Sequence, residues 1–400
     1  MDLSYGPQYD TYRQELRDFI EEHRDQAPRN APLKSDAAKS WQKLLIENGY
    51  TARTIPKEYG GHGGEPDLLK GRIIGEEFAR AQVPSGLGGQ GISMLVPTLL
   101  ELGTEEQKRQ FIPPTLAGEM VWCQGYSEPN AGSDLASLRT SAVLDGDEWV
   151  INGSKIWTST AHLADWIFCL VRTEPDAPKH QGISFLLFRM DTPGIEIRPL
   201  VDMTLAPNFN EVFFTDVRVP KDQIVGKRGE GWYVANAILG HERDSLGDPN
   251  ATLSRMTRLI ELMKEETIGN ERIIDNPVYR DRLMKIQARV MSLRFNDLRV
   301  LSSRLNNTDA RLARMISKLQ GTELRHELEG LAIDAMGETG LMYGASEFLR
   351  DGGSWQNQYM YFLGLIIGGG TSQIQKNIIS ERGLDMPKEP KFEQSSTKVN

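Results

Sequence analysis

Trp122-Cys-Gln-Gly-Tyr-Ser-Glu-Pro-Asn-Ala-Gly-Ser-Asp134 is the most informative stretch of this chain. Ala131, Gly132 and Ser133 are small enough to let a backbone approach a ligand closely. Ser127, Ser133 and Asp134 add hydrogen-bonding groups among amides, the kind of nest that holds a pyrophosphate. Read alone, the stretch is equally a polar turn leading into a strand. Its surroundings have to decide.

The flanking patterns differ from it and from each other. Residues 8 to about 120 read as helix, with Tyr12, Leu16, Phe19 and Ile20, then Trp41, Leu44, Leu45 and Gly49, recurring at helical spacing. Gly60, Gly61, Gly63 and Gly64 break the region with a loop, and Pro113-Pro114 is expected to mark its end. Residues 121 to about 225 read as strands. Asp145-Gly146 and Asn152-Gly153 are two hairpin signals flanking 148–151. Residues 182–188 form an apolar run, and 211–219 alternate. A small antiparallel barrel or sandwich is expected. Residues 226 to about 385 return to long amphipathic helices over 252–267, 277–306 and 310–337, which suit a bundle.

The expected fold is therefore α+β and multidomain. It has an N-terminal α-helical domain (1–120), a middle antiparallel β-domain (121–225), a C-terminal four-helix bundle (226–385) and a disordered polar tail (386–400). Junctions between unlike domains are favoured cofactor sites.

Bulk properties narrow the function. The 400 residues carry a net charge of -9, with pI about 5.4, which argues against nucleic acid as partner. The two cysteines, Cys123 and Cys169, are too few for a disulfide framework, sit among large apolar neighbours and fit a reducing cytosol. No signal peptide, membrane span or metal site is expected, and cytoplasmic localisation follows.

Two further segments bear chemistry. Lys155-Ile-Trp-Thr-Ser159 ends a strand, where a Trp is more commonly core than cofactor contact. Gly368-Gly-Gly-Thr-Ser-Gln-Ile-Gln375 is a glycine loop ahead of a helix, a weak signal by itself. Gly240-His-Glu-Arg243 reads as surface charge, with Glu242 paired to Arg243 or His241.

Taken together, these segments resemble the acyl-CoA dehydrogenase family over residues 5 to 385. The opening stretch resembles its Thr-Glu-Pro-x-Ala-Gly-Ser-Asp signature, with Ser127 where Thr is usual. The resemblance implies FAD as cofactor. Gln124, Gly125, Tyr126 and Ser127 would touch the flavin ring, and Gly132 and Ser133 would lie near pyrophosphate and acyl-CoA. Trp157 would cover a ring face, and Thr158 or Ser159 would bond near N5 and O4. Thr371 and Gln373 would contact the cofactor.

The implied reaction is α,β-dehydrogenation of an acyl-CoA thioester to the trans-2-enoyl-CoA. A Glu base removes the α-proton, hydride passes to flavin N5, and electrons leave to an electron-transfer flavoprotein. Many members carry the base directly before the Gly-Thr pair, where this chain has Gly369. A minority place it before an Arg on a helix, which makes Glu242 the implied base and Arg243 support for the acyl-CoA end. Gly369 N–H would help hold the thioester oxygen, Gly368, Gly369 and Gly370 would leave room for the Glu242 side chain to reach the substrate from the other side, and Gly370 would line the substrate.

The pattern also departs from homotetrameric members. Glu265-Glu-Thr-Ile-Gly269 and Asp334-Ala-Met-Gly-Glu338 place acidic groups where donors to a neighbour's pyrophosphate would be expected. That implies a heterotetramer with a second acyl-CoA dehydrogenase-like subunit, and large subunits of the pimeloyl-CoA dehydrogenase type and paired bacterial steroid dehydrogenases are similar. A non-catalytic half-site subunit and an acyl-CoA oxidase remain alternatives.

Overall fold

The structure is a computed structural model that describes residues 5–28, 31–32 and 34–388, without the side chains of residues 243–246. The tail beyond residue 388 lies outside the described residues.

Five helices precede the strands: α1 (Pro7–His23), α2 (Asp36–Glu47), α3 (Leu68–Ala81), α4 (Val96–Leu102) and α5 (Glu105–Leu116). Their starts are written locally. Ser35 caps α2, Asp67 caps α3, and Thr104 with Gln107 forms a reciprocal capping box on α5. The apolar positions expected at helical spacing do face inward: Leu16, Phe19 and Ile20 pack with Trp41, Leu45 and Phe78. Each such large side chain contributes roughly 1.5–3 kcal/mol on burial. Pro113 and Pro114 do not end the helical region but sit inside the last turns of α5. Helix continues to Leu116, so the prolines cost only hydrogen bonds near a terminus.

Seven strands follow: β1 (Trp122–Gly125), β2 (Ser141–Asp145), β3 (Glu148–Lys155), β4 (Trp166–Arg172), β5 (Ile183–Arg189), β6 (Ile195–Leu200) and β7 (Phe209–Pro220). The sheet runs β1-β4-β2-β3-β7-β6, with β5 beside β4. It is mainly antiparallel, yet β1 pairs with β4 in parallel, Trp122 facing Trp166 and Gly125 facing Cys169. The long excursion through β2 and β3 between them permits a parallel pairing that no tight turn could make. Asp145-Gly146 does make the β2–β3 hairpin. Asn152-Gly153 does not; it lies within β3, where the register against β7 shifts. Gly153 has φ 146°, and a Cβ there would lie 2.7 Å from the Thr140 Cα. Close approach, rather than chain reversal, is what this glycine serves.

The C-terminal part contains α6 (Gly231–Leu246), α7 (Pro249–Glu265), a short β8–β9 ribbon (Thr267–Ile268 and Glu271–Arg272), α8 (Pro277–Leu305), α9 (Arg311–Ala335), α10 (Ser354–Ile367) and α11 (Ser372–Ile378). Asp248 and Asn276 cap α7 and α8, each followed by a proline in the first turn. Helices α7 to α10 pack round Leu259, Met263, Ile286, Val290, Leu328 and Trp355, which is the bundle core. One further core joins all three parts: Phe111 from α5, Trp122 and Phe168 from the sheet, and Val234 and Ile238 from α6. No described helix is long and apolar enough to cross a membrane.

Candidate active site

Strand β1 delivers the opening stretch to the seam between sheet and α6. Cys123 and Gly125 are buried, and Tyr126 is closed off beside Phe168 and Phe185. Glu128 and Ala131 exchange backbone hydrogen bonds, N–H to O at 3.1 and 3.0 Å, so the chain turns sharply and lifts Gly132, Ser133 and Asp134 into solvent. A Cβ at Gly132 would meet nothing within 4 Å, so that turn borders open space.

Two segments far apart in sequence are clamped here. The Ile156 N–H donates to the Ser127 carbonyl at 2.9 Å. The Lys155 ammonium, fully buried, donates to Glu128 at 2.8 Å and to the Tyr126 carbonyl at 3.2 Å. Glu128 in turn accepts the Arg139 and Thr140 N–H groups. Neither Lys155 nor Glu128 stood out as a site residue in the sequence. The signal was there: Trp149, Ile151 and Lys155 share the inward phase of β3, and an inward lysine requires a buried partner.

Beyond Lys155 the chain holds Trp157 at φ 60°, a left-handed conformation uncommon for a bulky residue. Its indole is 59% exposed and meets Phe209 only edge-on. Thr158 is fully buried, its backbone fixed by a two-way exchange with Asn210 at 3.0 and 2.9 Å. Its hydroxyl has no hydrogen-bond partner among the described residues. Neither have the Tyr126 hydroxyl and the Gln90 carbonyl, although Gln90 donates to Gln124 at 3.3 Å. Three orphaned polar atoms, an exposed indole on a strained backbone and an open Gly132–Ser133 turn fit a planar, polar-edged cofactor such as a flavin.

Helix α6 brings Glu242 to this wall. Gly231 opens the helix flush against β5, since a Cβ there would lie 2.4 Å from the Ser184 carbonyl carbon. Val234 and Ile238 face the shared core, and Glu242 is the next position on that face, four residues on. That spacing is readable in the sequence. Burial pushes the Tyr126 hydroxyl well up, and the neighbouring Glu242 carboxylate adds to that shift. His241 is half-buried; the Arg243 side chain lies outside the described residues.

The glycine loop stands on α9. Lys318, nearly fully buried, donates to the Gly370 carbonyl at 2.7 Å and to the Ile366 carbonyl at 3.2 Å. Gln375 donates to the Gly369 carbonyl at 2.9 Å, and Ser372 to Glu323 at 2.8 Å. Gly369 and Gly370 have φ 65° and 95°, which a side chain at either position would strain. Thr371 caps α11, accepting the Ile374 N–H, and Gln373 is exposed. The neighbouring Ser317 packs its backbone against Gly247 at the end of α6. Adjacent residues of α9 therefore register the Glu242 helix against the Gly369 loop. Lys318 and Gln375 could be assigned no role in the sequence, because nothing local distinguishes a buried lysine on a long helix.

Three family models cover almost the whole chain: the acyl-CoA dehydrogenase N-terminal domain over residues 7–119, the middle domain over 123–217 and the C-terminal domain over 229–384. The chain belongs to the acyl-CoA dehydrogenase family. It is an oxidoreductase of that family, and a flavin is its cofactor class. This dehydrogenase is 39% identical to the acyl-CoA dehydrogenase IpdE1 of Mycobacterium tuberculosis over 357 residues, 88% of this chain and 89% of that one. It is 36% identical to the acyl-CoA dehydrogenase FadE34 of the same organism, over 87% of this chain and 46% of FadE34. Among solved structures, the ChsE4-ChsE5 complex from Mycobacterium tuberculosis aligns with TM-score 0.80 and 32% identity, over 97% of this chain and 100% of the matched chain. The Tcur3481-Tcur3483 steroid ACAD aligns with TM-score 0.81 and 28% identity, over 97% and 100%.

The acidic segments are engaged internally. Glu265 and Glu266 both pair with Arg350, and Asp334 pairs with Arg282 at 2.7 Å.

Proposed function

We propose that this dehydrogenase oxidises an acyl-CoA thioester to the trans-2-enoyl-CoA with FAD as cofactor and Glu242 as base. The observation that carries this is the position of Glu242 on the core-facing side of α6 beside Tyr126, while position 369 is a left-handed glycine. Gln124 to Ser127, Trp157, Thr158, Ser159, Thr371 and Gln373 would hold the flavin. Bound FAD supplies the acceptor for the β-hydrogen and its electron pair. Glu242 takes the α-proton, and the Cα–Cβ double bond forms as both hydrogens depart. An apolar wall of Tyr126, Phe168 and Phe185 would keep water from one side of the site. Ser133, Gly370 and Arg243 would line the acyl-CoA path, and the Gly369 N–H would polarise the thioester carbonyl. Electrons pass on to an electron-transfer flavoprotein in a bacterial cytoplasm.

Glu242→Gln tests this in flavin-loaded enzyme. Turnover should fall by roughly 10²–10⁴-fold while the flavin spectrum persists. Full turnover would remove Glu242 from the mechanism.

A second reading concerns assembly: the chain contributes one half of the flavin site and a different dehydrogenase-like subunit contributes the other. Glu265 and Glu266, with Arg350 between them, support it, because a carboxylate pair is a poor neighbour for pyrophosphate. The ChsE4-ChsE5 neighbour is itself a complex of two named subunits. Leu341, Phe348, Val201 and Leu205 form exposed apolar surface suited to subunit contact, and Tyr343 ties the two loops by donating to the Thr204 carbonyl. Expressed alone, the chain should hold little flavin; with the complementary subunit it should turn yellow. A homotetramer with one flavin per chain would end this reading. Peroxide formation in air would identify an oxidase instead.

A further inference from the structure

A cavity of about 550 Å³ opens beside α6. It lies between α3, the α6–α7 junction, α8 and α9, and His241, the residue before the proposed base, lines it together with Ser93 and Ser317. Its volume is in the range of small-molecule sites. Its lining is unlike a pocket for a plain hydrocarbon chain. Arg72, Arg304 and Arg314 face it, against Asp248 and Asp297.

Arg72 is the decisive residue. Its side chain is 10% exposed, its Nε donates to Glu76 at 2.9 Å, and its Nη1 donates to Asp297. Its Nη2 is buried and has no hydrogen-bond partner among the described residues. A buried guanidinium nitrogen without an acceptor is costly, and a ligand oxygen would remove that cost. Burial and the neighbouring Asp248 push the Asp297 carboxyl up, and Arg72 and Arg304 pull against them.

We infer that this cavity receives the end of the acyl group remote from the thioester, and that this end carries an acceptor oxygen, a carboxylate or a ketone, which Arg72 binds. The inference rests on the dehydrogenase reading above and names the substrate class for that site. A saturated chain would fill the same space but bury Nη2 unpaired, which costs a factor of about ten to a hundred in kcat/KM.

The test uses the flavin-loaded enzyme, in whichever assembly retains flavin, with hexanoyl-CoA, adipoyl-CoA and 5-oxohexanoyl-CoA as probes. Adipoyl-CoA or 5-oxohexanoyl-CoA should exceed hexanoyl-CoA in kcat/KM by at least tenfold, and which of the two leads distinguishes an anion site from a neutral one. Arg72→Met should lower that preference about tenfold, mainly through KM. Should Arg72→Met fold poorly, Ser93→Leu keeps the test open, because Ser93 is solvent-exposed and leucine there narrows the cavity mouth. Equal or greater kcat/KM for hexanoyl-CoA, or a preference untouched by both variants, overturns the inference and leaves the dehydrogenase reading intact. Absence of turnover with every thioester overturns both.

Discussion

Lys155 Nζ lies 2.8 Å from Glu128 Oε1, with the lysine fully buried and the glutamate nearly so. This ion pair joins the end of β3 to the turn after β1, the two segments proposed to face the flavin. Burial pushes the Glu128 carboxyl up, but Lys155 and the Arg139 and Thr140 amides outweigh it and hold the group below the ordinary carboxylate range. Its role is positional. Water cannot replace either partner, so the two loops hold one spacing.

Lys155→Met should therefore destabilise the protein by about 3–5 kcal/mol, because Glu128 would stay buried and unpaired. Adding Glu128→Gln should recover part of that loss. Urea denaturation of the single and double variants, with flavin content measured beside it, checks both statements. Equal stability of the two would mean that the pair does not couple the loops.

Trp157→Ala should separate cofactor binding from folding. The indole is mostly exposed, so its removal should change stability by less than about 1 kcal/mol. Flavin retention through gel filtration should drop sharply. A variant that keeps its full flavin complement would show that the indole is not a flavin contact.

Acid should loosen the N-terminal helices first. Burial pushes the Glu77 carboxyl up, but hydrogen bonds from Arg17, Arg13 and Arg80 outweigh it and hold the group at about 2. A carboxyl lowered on folding contributes stability that is present above its unfolded pKa and lost as pH falls through the folded value. The window runs from about 4.5 down to about 2. After allowance for solvent screening the contribution is roughly 1–2 kcal/mol. Glu77→Gln should flatten the pH dependence of Tm across that window; an unchanged slope would exclude Glu77 as its source.

Both thiols should be silent in the native state. Burial pushes Cys123 well up and Cys169 to about 12, and neither is exposed. Ellman's reagent at pH 8 should find no reactive thiol in the folded protein and both cysteines in guanidinium. Rapid native labelling would contradict this burial.

Much of this architecture was legible because its signals are local. Helix spacing at Leu16, Phe19 and Ile20 and the Asp145-Gly146 turn each depend on neighbours within a few residues. Asn152-Gly153 misled for the same reason. Locally it spells a hairpin, and only the approach of Thr140 across the sheet shows why glycine is required there. The parallel β1–β4 pairing was hidden likewise, since no turn sequence encodes a partner forty residues away.

The sequence by itself determined the three-part order of the chain, the family signature from Gln124 to Ser133, and the absence of an acidic residue at position 369. Only the tertiary structure decided how these meet. Glu242 comes near Tyr126 because Gly231 seats α6 on β5, Lys155 at the end of β3 finds Glu128 after β1, and Lys318 anchors the Gly370 carbonyl from another helix. Each of these contacts depends on burial and on the distance between segments remote in sequence, and neither quantity is written in local residue order.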